Sequence, residues 1–143
     1  MCKRGDIIFV RHYQDGDNQL GQHSFVVLDD EGGNVRGVPY DLIALVMSSI
    51  KNDRQRNKKL SYPGNFEVSA SCQQVNIPSN GKDAYIKAEQ FYYFQKENLD
   101  YVQIGSLTID AWTALLEFIE TFADKGVQIK QITDNLSTEN PDA

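Results

Sequence analysis

A chain of 143 residues with 41% hydrophobic residues, including seven phenylalanines and seven tyrosines, can close one core without disulfide staples. The formal net charge of −6 argues against a general nucleic-acid coat protein. Cys2 and Cys72 make no disulfide framework, and no Cys/His cluster has zinc spacing. No apolar run suits a membrane span or a secretory signal. We therefore expect one domain in the reducing cytoplasm, with no metal or cofactor.

The first predicted element is a hairpin whose two strands end near the only two histidines of the chain. The apolar run 7–10 leads towards His12, and the apolar run 25–28 follows His23. Imidazole has an unperturbed pKa of about 6.5, so it can donate or accept a proton near neutral pH. The hairpin therefore predicts a hydrolytic or transesterification site at its mouth. The alternative is that both histidines only solvate the end of the hairpin.

The register of this hairpin is predicted by matching its apolar residues. If His12 lies opposite His23, then Val10 lies opposite Phe25, and apolar side chains meet apolar side chains. A slip by one residue remains open as an alternative, and it would turn every side chain of one strand to the other face.

A second strong strand is predicted over residues 42–47, followed by two serines. Strand alternation places Ser48 on the face of Leu42, Ala44 and Val46, and it places Ser49 on the opposite face. We therefore expect only one of the two serines to share the face of a site.

A basic cluster follows this strand in an otherwise acidic chain. Within nine residues, one acid, Asp53, is found beside five cations, namely Lys51, Arg54, Arg56, Lys58 and Lys59. We expect this segment to be a loop that ends at the turn 62–65. Such a loop could hold phosphate groups, although a solvated connector is the alternative.

Further strands are predicted over residues 66–68, 84–94 and 101–104, and the last is expected to stop at Gly105. Residues 29–34 are predicted to be a turn region. These short antiparallel segments favour a small barrel over βαβ units.

The last predicted element is a helix over residues 109–122, where apolar residues recur at three- and four-residue spacing. Thr108 is its expected cap, and Gly126 follows as a stop. The fold class is therefore mainly β with a C-terminal α-helix. We expect one domain over residues 1–132 and an acidic, disordered tail over residues 133–143.

Four segments of the chain carry a combination of motifs that belongs to a known family. They are Lys3-Arg4-Gly5-Asp6-Ile7, Gly21-Gln22-His23-Ser24-Phe25-Val26-Val27-Leu28, Leu45-Val46-Met47-Ser48 and Ala88-Glu89-Gln90. In this order, over roughly residues 3–122, the chain resembles the MazF/PemK family of toxins from toxin–antitoxin systems.

The resemblance implies an Src-homology-three-like barrel of the MazF/PemK/CcdB toxin type. It also implies a homodimer that cleaves single-stranded RNA without metal, as a sequence-specific endoribonuclease, and that is neutralised by an antitoxin protein. By position, Ser48 corresponds to the hydroxyl residue of the family site. His23 stands where the family has an arginine, and Ser24 stands where it has a proline. Imidazole is not a permanent cation as guanidinium is, so this departure bears on catalysis.

Cleavage of RNA without metal requires a base for the 2′-hydroxyl, an acid for the 5′-oxygen and donors for the charged phosphorane. We expect His12 and His23 to divide the first two roles, and Arg11 and Ser48 to supply the third. The expected substrate-binding residues are Tyr13, Lys51, Arg54, Arg56, Lys58, Lys59 and Gln90, with Tyr62 as a second stacking candidate and Glu89 as an orienting or surface residue.

Two other functions remain open from the sequence. The first is a non-catalytic relative that binds RNA or a protein partner, which the loss of the family arginine favours. The second is a protein poison of a topoisomerase, because the same barrel serves that role elsewhere.

Overall fold

The computed structural model describes residues 2–15, 18–76 and 81–136, and within residues 12–21 only the backbone is described. The strands are β1 Asp6–Asp15, β2 Asn18–Asp29, β3 Gly33–Val35, β4 Val38–Tyr40, β5 Leu42–Ser49, β6 Asn65–Val68, β7 Gln73–Val75, β8 Ala84–Lys87, β9 Gln90–Phe94, β10 Tyr101–Leu107 and β11 Lys130–Ile132. The α-helices are α1 Asp53–Leu60, α2 Ile109–Glu120 and α3 Phe122–Lys125, and two 3₁₀ turns cover Ala70–Cys72 and Lys96–Asn98.

Most strands join one curled sheet in the order β11-β9-β5-β2-β1-β10-β7. Neighbours pair antiparallel, except that β11 runs parallel to β9. β8 pairs with the end of β5 and with β6, so β8 and β9 occupy successive lengths of the same edge of β5. The mainly β fold class with a C-terminal helix is therefore confirmed.

Strand β5 separates two hydrophobic clusters, as its alternation predicts. Leu42, Ala44 and Val46 pack in one cluster, whereas Leu45 and Met47 pack in the other. Because nearly the whole strand is buried on both faces, its sequence is a continuous apolar run.

The predicted register of the first hairpin is wrong by two residues. Val10 lies opposite His23, and Phe25 lies opposite Ile8. The pairing is irregular between Val10 and Tyr13. A register counted from residues near the tip of the hairpin is therefore displaced along the rest of the two strands. A shift of two residues keeps each side chain on its expected face. His12 and His23 are therefore not a cross-strand pair.

The basic cluster is a helix, not the predicted loop. The side chain of Asn52 caps α1 by accepting a hydrogen bond from the backbone N–H of Gln55 at 2.8 Å. None of the residues of α1 is buried, so its sequence shows no apolar periodicity. This absence of a stripe is why the sequence favoured a loop.

The C-terminal helix begins where the sequence predicts. The hydroxyl of Thr108 accepts a hydrogen bond from the N–H of Ala111 at 3.2 Å. Leu115 is fully buried against the second cluster. Gly126 ends α3 with φ of 71°, a conformation that glycine adopts without strain.

Three expectations about strand and domain ends change with the structure. Residues 29–34 are not only a turn region, because β3 and β4 form a second, two-stranded sheet. β10 continues through Gly105 to Leu107. Leu136 is buried in a third cluster, so packing extends past residue 132, and residues 137–143 of the predicted tail lie outside the described residues. Within the described ranges, no helix is long and apolar enough to span a membrane.

Candidate functional site

A cavity of about 610 Å³ lies where strand β5 leaves β2. We call it the main cavity. Its walls come from β1, β2, β5, α1, β7, β8 and β10. The lining residues are Phe9, Gln22, His23, Ser24, Met47, Ser48, Ser49, Lys51, Gln55, Lys59, Gln73, Lys82, Ala84, Tyr85 and Ile104. His23 and Ser48, two of the predicted catalytic residues, therefore meet in one cavity.

A smaller cavity of about 280 Å³ lies beside it, and we call it the side cavity. Its lining residues are Lys59, Tyr62, Asn65, Lys87, Glu89 and Gln90. Lys59 lines both cavities, so they are neighbours, and we call the two together the groove.

The groove is cationic although the chain is acidic. Four lysines line it, namely Lys51, Lys59, Lys82 and Lys87, whereas Glu89 is the single acidic lining residue. The formal net charge of the whole chain is −6. A concave site of one sign of charge focuses the field and attracts the opposite charge, so the groove suits a polyanion.

His23 is placed in the groove by the pairing of β2 with β5. The pairs Ser24–Met47 and Phe25–Val46 fix a register whose continuation sets His23 against Ser48. The imidazole is half-buried, and its ring lies 6.5 Å from that of Phe25 in an edge-on arrangement.

Burial is the main cause that lowers the pKa of His23, and the positive charge of Lys87 adds to it. The neutral imidazole therefore predominates at neutral pH, with a nitrogen free of a proton. Lys87 lines the side cavity while His23 lines the main cavity. A charge in one cavity therefore acts on a titratable group in the other.

Both serines line the main cavity, which corrects the expectation that only one of them would share the site. Ser48 is half-buried and lies opposite Tyr85, whereas Ser49 is exposed and lies opposite Ala84. Alternation still separates them by face, but the cavity lies at the end of the strand and is open to both.

The five cations of the basic cluster have different environments. Lys51 and Lys59 line the main cavity, and the Lys59 ammonium nitrogen lies 5.9 Å from the ring centroid of Tyr85. Arg54 and Lys58 are exposed and line neither cavity. The structure therefore does not bring these two predicted substrate-binding residues into the groove.

Arg56 has a structural environment instead of a substrate-facing one. Its guanidinium contacts Asp83 at 3.0 Å, Asp53 at 3.9 Å and the carboxylate of Glu67. Asp83 also accepts the backbone N–H of Ala70 at 2.8 Å, and this hydrogen bond, followed by the Arg56 hydrogen bond, lowers the pKa of Asp83. Arg56 thus fixes α1 on the sheet.

The other predicted residues divide in a similar way. Arg11 forms an exposed ion pair with Asp100 at 3.3 Å and lines neither cavity, so the structure does not bring Arg11 together with His23 and Ser48. The side chains of His12 and Tyr13 lie outside the described residues. Gln90 lines the side cavity, and its Oε1 accepts a hydrogen bond from the hydroxyl of Tyr92 at 3.1 Å.

The sequence reasoning missed Lys82 and Lys87 and left Glu89 undecided. Alternation in the strand 84–94 does put Lys87 on the same face as Tyr85 and Glu89, so a pattern for it existed. Glu89 Oε2 is buried without a hydrogen-bond partner among the described residues. A Cβ added at Gly64 would collide with this carboxylate, so glycine makes room for it.

A family profile described as PemK-like, MazF-like toxin of type II toxin–antitoxin system matches residues 3–122. The chain belongs to this family. No curated protein sequence matches it.

The curled antiparallel sheet and C-terminal helix are consistent with the MazF/PemK fold. As a member of this type II toxin family, the protein is a toxin whose family implies an antitoxin partner. Among the described residues, no group of three or more His, Cys, Asp or Glu side chains could hold a metal ion.

Proposed function

We propose that this MazF/PemK-like toxin is a sequence-specific endoribonuclease that cleaves single-stranded RNA without a metal ion. The observation that carries the proposal is the groove itself. In a chain of net charge −6, it collects four lysines, a histidine of lowered pKa and a serine hydroxyl. Phosphodiester cleavage needs cations, a proton acceptor and hydrogen-bond donors in one place.

His23 is the proposed base for the 2′-hydroxyl. Its lowered pKa keeps the imidazole neutral at neutral pH, which is the form that accepts a proton. The 2′-oxygen attacks phosphorus as its proton passes to His23. The bond from phosphorus to the 5′-oxygen then breaks, which leaves a 2′,3′-cyclic phosphate and a 5′-hydroxyl.

Ser48, Lys59 and Lys87 are proposed to act on the charge that develops in this step. The Ser48 hydroxyl can donate to a phosphorane oxygen, because Ser48 and His23 line the same cavity. Lys59 lines both cavities and can neutralise the phosphorane. Lys87, whose charge acts on His23, can give a proton to the leaving 5′-oxygen. This scheme replaces Arg11 in the predicted site.

Glu89 is a second candidate for the base. It is the only carboxylate in the lining of the two cavities, and one of its oxygens is buried without a hydrogen-bond partner among the described residues. The variants His23→Ala and Glu89→Gln separate the two candidates. The larger loss of cleavage identifies the base.

Binding of single strands is supported by Tyr62 at the mouth of the side cavity. Its side chain is 53% exposed, which leaves a ring face for stacking on a base. We also propose that the toxin is a homodimer that acts in the cytoplasm, where messenger RNA is found, and that the antitoxin protein neutralises it.

The test of this function uses purified protein, a long RNA and excess chelator. We expect cuts at a limited set of sites, with cyclic phosphate or 3′-phosphate at one new end and 5′-hydroxyl at the other. Binding without any cut would favour the non-catalytic relative. The histidine at the family arginine position is the sequence feature that supports this alternative. If the protein neither binds nor cuts the RNA, RNA is not its substrate.

A further inference from the structure

Part of the lining of the main cavity is apolar, which phosphate binding does not require. Phe9, Met47, Ala84 and Ile104 are the aliphatic, thioether and phenyl residues of this lining, whereas the lysines supply the charge of the cavity. Its volume of about 610 Å³ falls within the range of about 300–1,000 Å³ that is typical of small-molecule sites. The cavity is therefore larger and more apolar than a phosphodiester group needs.

Phe9 is the one aromatic residue among these four. It lies on β1 directly opposite Ser24 of β2, and Ser24 lies opposite Met47 of β5. The row gives a ring, a hydroxyl and a thioether across three strands, all of which line the cavity. Phe9 is half-buried and belongs to none of the buried clusters, so the core does not require its ring.

We propose that the main cavity holds one RNA base, with its ring against Phe9. This inference rests on the proposed function, because it assigns a substrate subsite to the same groove. A base on a phosphate chain combines an aromatic ring with an anion, and these match Phe9 and the lysines of the cavity. Single-stranded RNA is commonly recognised by unstacked bases that lie on aromatic side chains.

An apolar side chain of a protein partner is the rival occupant. It would match Phe9 and Met47, but it carries no anionic group for the lysines of the cavity. The observations therefore favour a nucleotide, and the experiment below separates the two.

The test compares affinity for base-containing and abasic strands that cannot be cut. Seven-nucleotide 2′-fluoro oligomers of U, C and A lack the 2′-hydroxyl nucleophile, and a fully abasic heptamer of the same charge is the reference. Their dissociation constants are measured by fluorescence anisotropy for the wild type, Phe9→Ala, Phe9→Leu and Val102→Ala. Phe9→Leu keeps an apolar side chain of similar bulk in case Phe9→Ala does not fold. Val102 lies opposite Phe9 on β10, is 39% exposed and does not line the cavity, so it is the matched control.

We expect the wild type to prefer at least one base-containing oligomer to the abasic one. Phe9→Ala should weaken that oligomer by roughly 5- to 150-fold, which is the range for loss of one base–aromatic stack, and should leave abasic binding within about twofold. Phe9→Leu should also lose binding selectively, and Val102→Ala should match the wild type.

Equal losses for the two kinds of oligomer, or no loss for either, would overturn the proposal. If such a protein still cleaves RNA, only the base subsite is wrong. If the protein binds none of the oligomers and cuts no RNA, the proposed function fails with it.

Discussion

Burial and the Lys87 ammonium group both lower the pKa of His23, and burial is the larger cause. At the residue scale, this shift decides which chemical role the imidazole can have. A histidine that stays neutral at pH 7 accepts a proton, whereas the arginine that the family has at this position cannot. In the proposed mechanism, the replacement changes the role of the position from a fixed cation to a base, and Lys59 and Lys87 supply the cations.

The pKa of His23 gives a direct test of its contact with Lys87. Lys87→Gln removes the positive charge, so the pKa of His23 should rise while burial still holds it below about 6.5. Proton NMR titration measures it, with His12→Ala used to assign the two imidazole signals. Lys58→Gln, at an exposed position outside the groove, is the control and should cause no change. An unchanged pKa in Lys87→Gln would mean that the two side chains do not interact.

The same shift has a consequence for stability. Because the pKa is lower in the folded protein than in the unfolded chain, the contribution of His23 is present above about pH 6.5 and is lost as pH falls through the folded value. The free energy of unfolding should therefore fall less steeply with acid in His23→Gln than in the wild type. Urea unfolding at pH 5 and pH 7.5 measures the difference, and parallel losses in the two proteins would contradict it.

Gly64 offers a probe of Glu89 that leaves the carboxylate in the chain. In Gly64→Ala, the new methyl group would occupy the place of the Glu89 carboxylate, which sits at the end of a flexible side chain and can move. We expect the melting temperature to change little and the cleavage rate to change clearly if Glu89 acts on substrate. A rate equal to that of the wild type would place Glu89 outside the reaction.

At the element scale, α1 contributes to the groove but packs only weakly against the rest of the protein. None of its residues is buried, and its position depends on the Asn52 cap and on the ion pairs of Arg56 with residues of β6 and of the segment before β8. Gln55 and Lys59 of this helix line the main cavity. The helix is therefore held in place mainly by polar contacts. Loss of these contacts should displace Gln55 and Lys59 in the main cavity.

Arg56→Gln tests this dependence. It should lower the free energy of unfolding by about 1 kcal/mol, since the carboxylate partners are partly exposed, and it should also weaken RNA binding because Lys59 loses its support. Chemical denaturation and anisotropy measure the two effects. Arg54→Gln, which removes a neighbouring exposed charge, should change neither property by as much, and equal effects of the two variants would indicate a role of charge alone.

The elements that the sequence predicts well are those whose burial leaves a pattern. β5 and α2 carry an apolar run and an apolar stripe, and both lie where these patterns indicate. α1 has no buried face, and the hairpin contains register irregularities near its tip, so neither the helix nor the pairing could be predicted from apolar periodicity. The short β3–β4 sheet lies in a segment where only the turn residues were noticed.

At the scale of the whole molecule, the charge of the groove is opposite in sign to the net charge of the chain. An acidic chain keeps four lysines around one groove, with a single carboxylate in its lining. The sequence predicted part of this arrangement, since Lys51 and Lys59 belong to the basic cluster. It could not show that Arg56 is committed to carboxylates or that Lys82 and Lys87 come from a distant strand region, because both facts depend on tertiary contacts.

The salt dependence of RNA binding measures how many of these lysines contact phosphate. Replacing Lys59 and Lys87 together by glutamine should flatten the log–log slope by roughly 0.7 per lost contact on a single strand. The loss should be similar for all RNA sequences, because phosphate contacts do not read bases. Replacing the exposed pair Arg54 and Lys58 is the charge-matched control and should leave the slope nearly unchanged. Equal slopes for both double variants would mean that the groove does not hold the backbone.

The central claim is that His23 is the base for RNA cleavage in the groove, and the rate of His23→Ala on one long RNA tests it most directly. Initial rates are compared with the wild type in excess chelator, after thermal unfolding has shown that the variant is folded. Loss of one acid–base group should lower the rate by about 100-fold or more. A folded His23→Ala protein that cleaves at the rate of the wild type would contradict the claim.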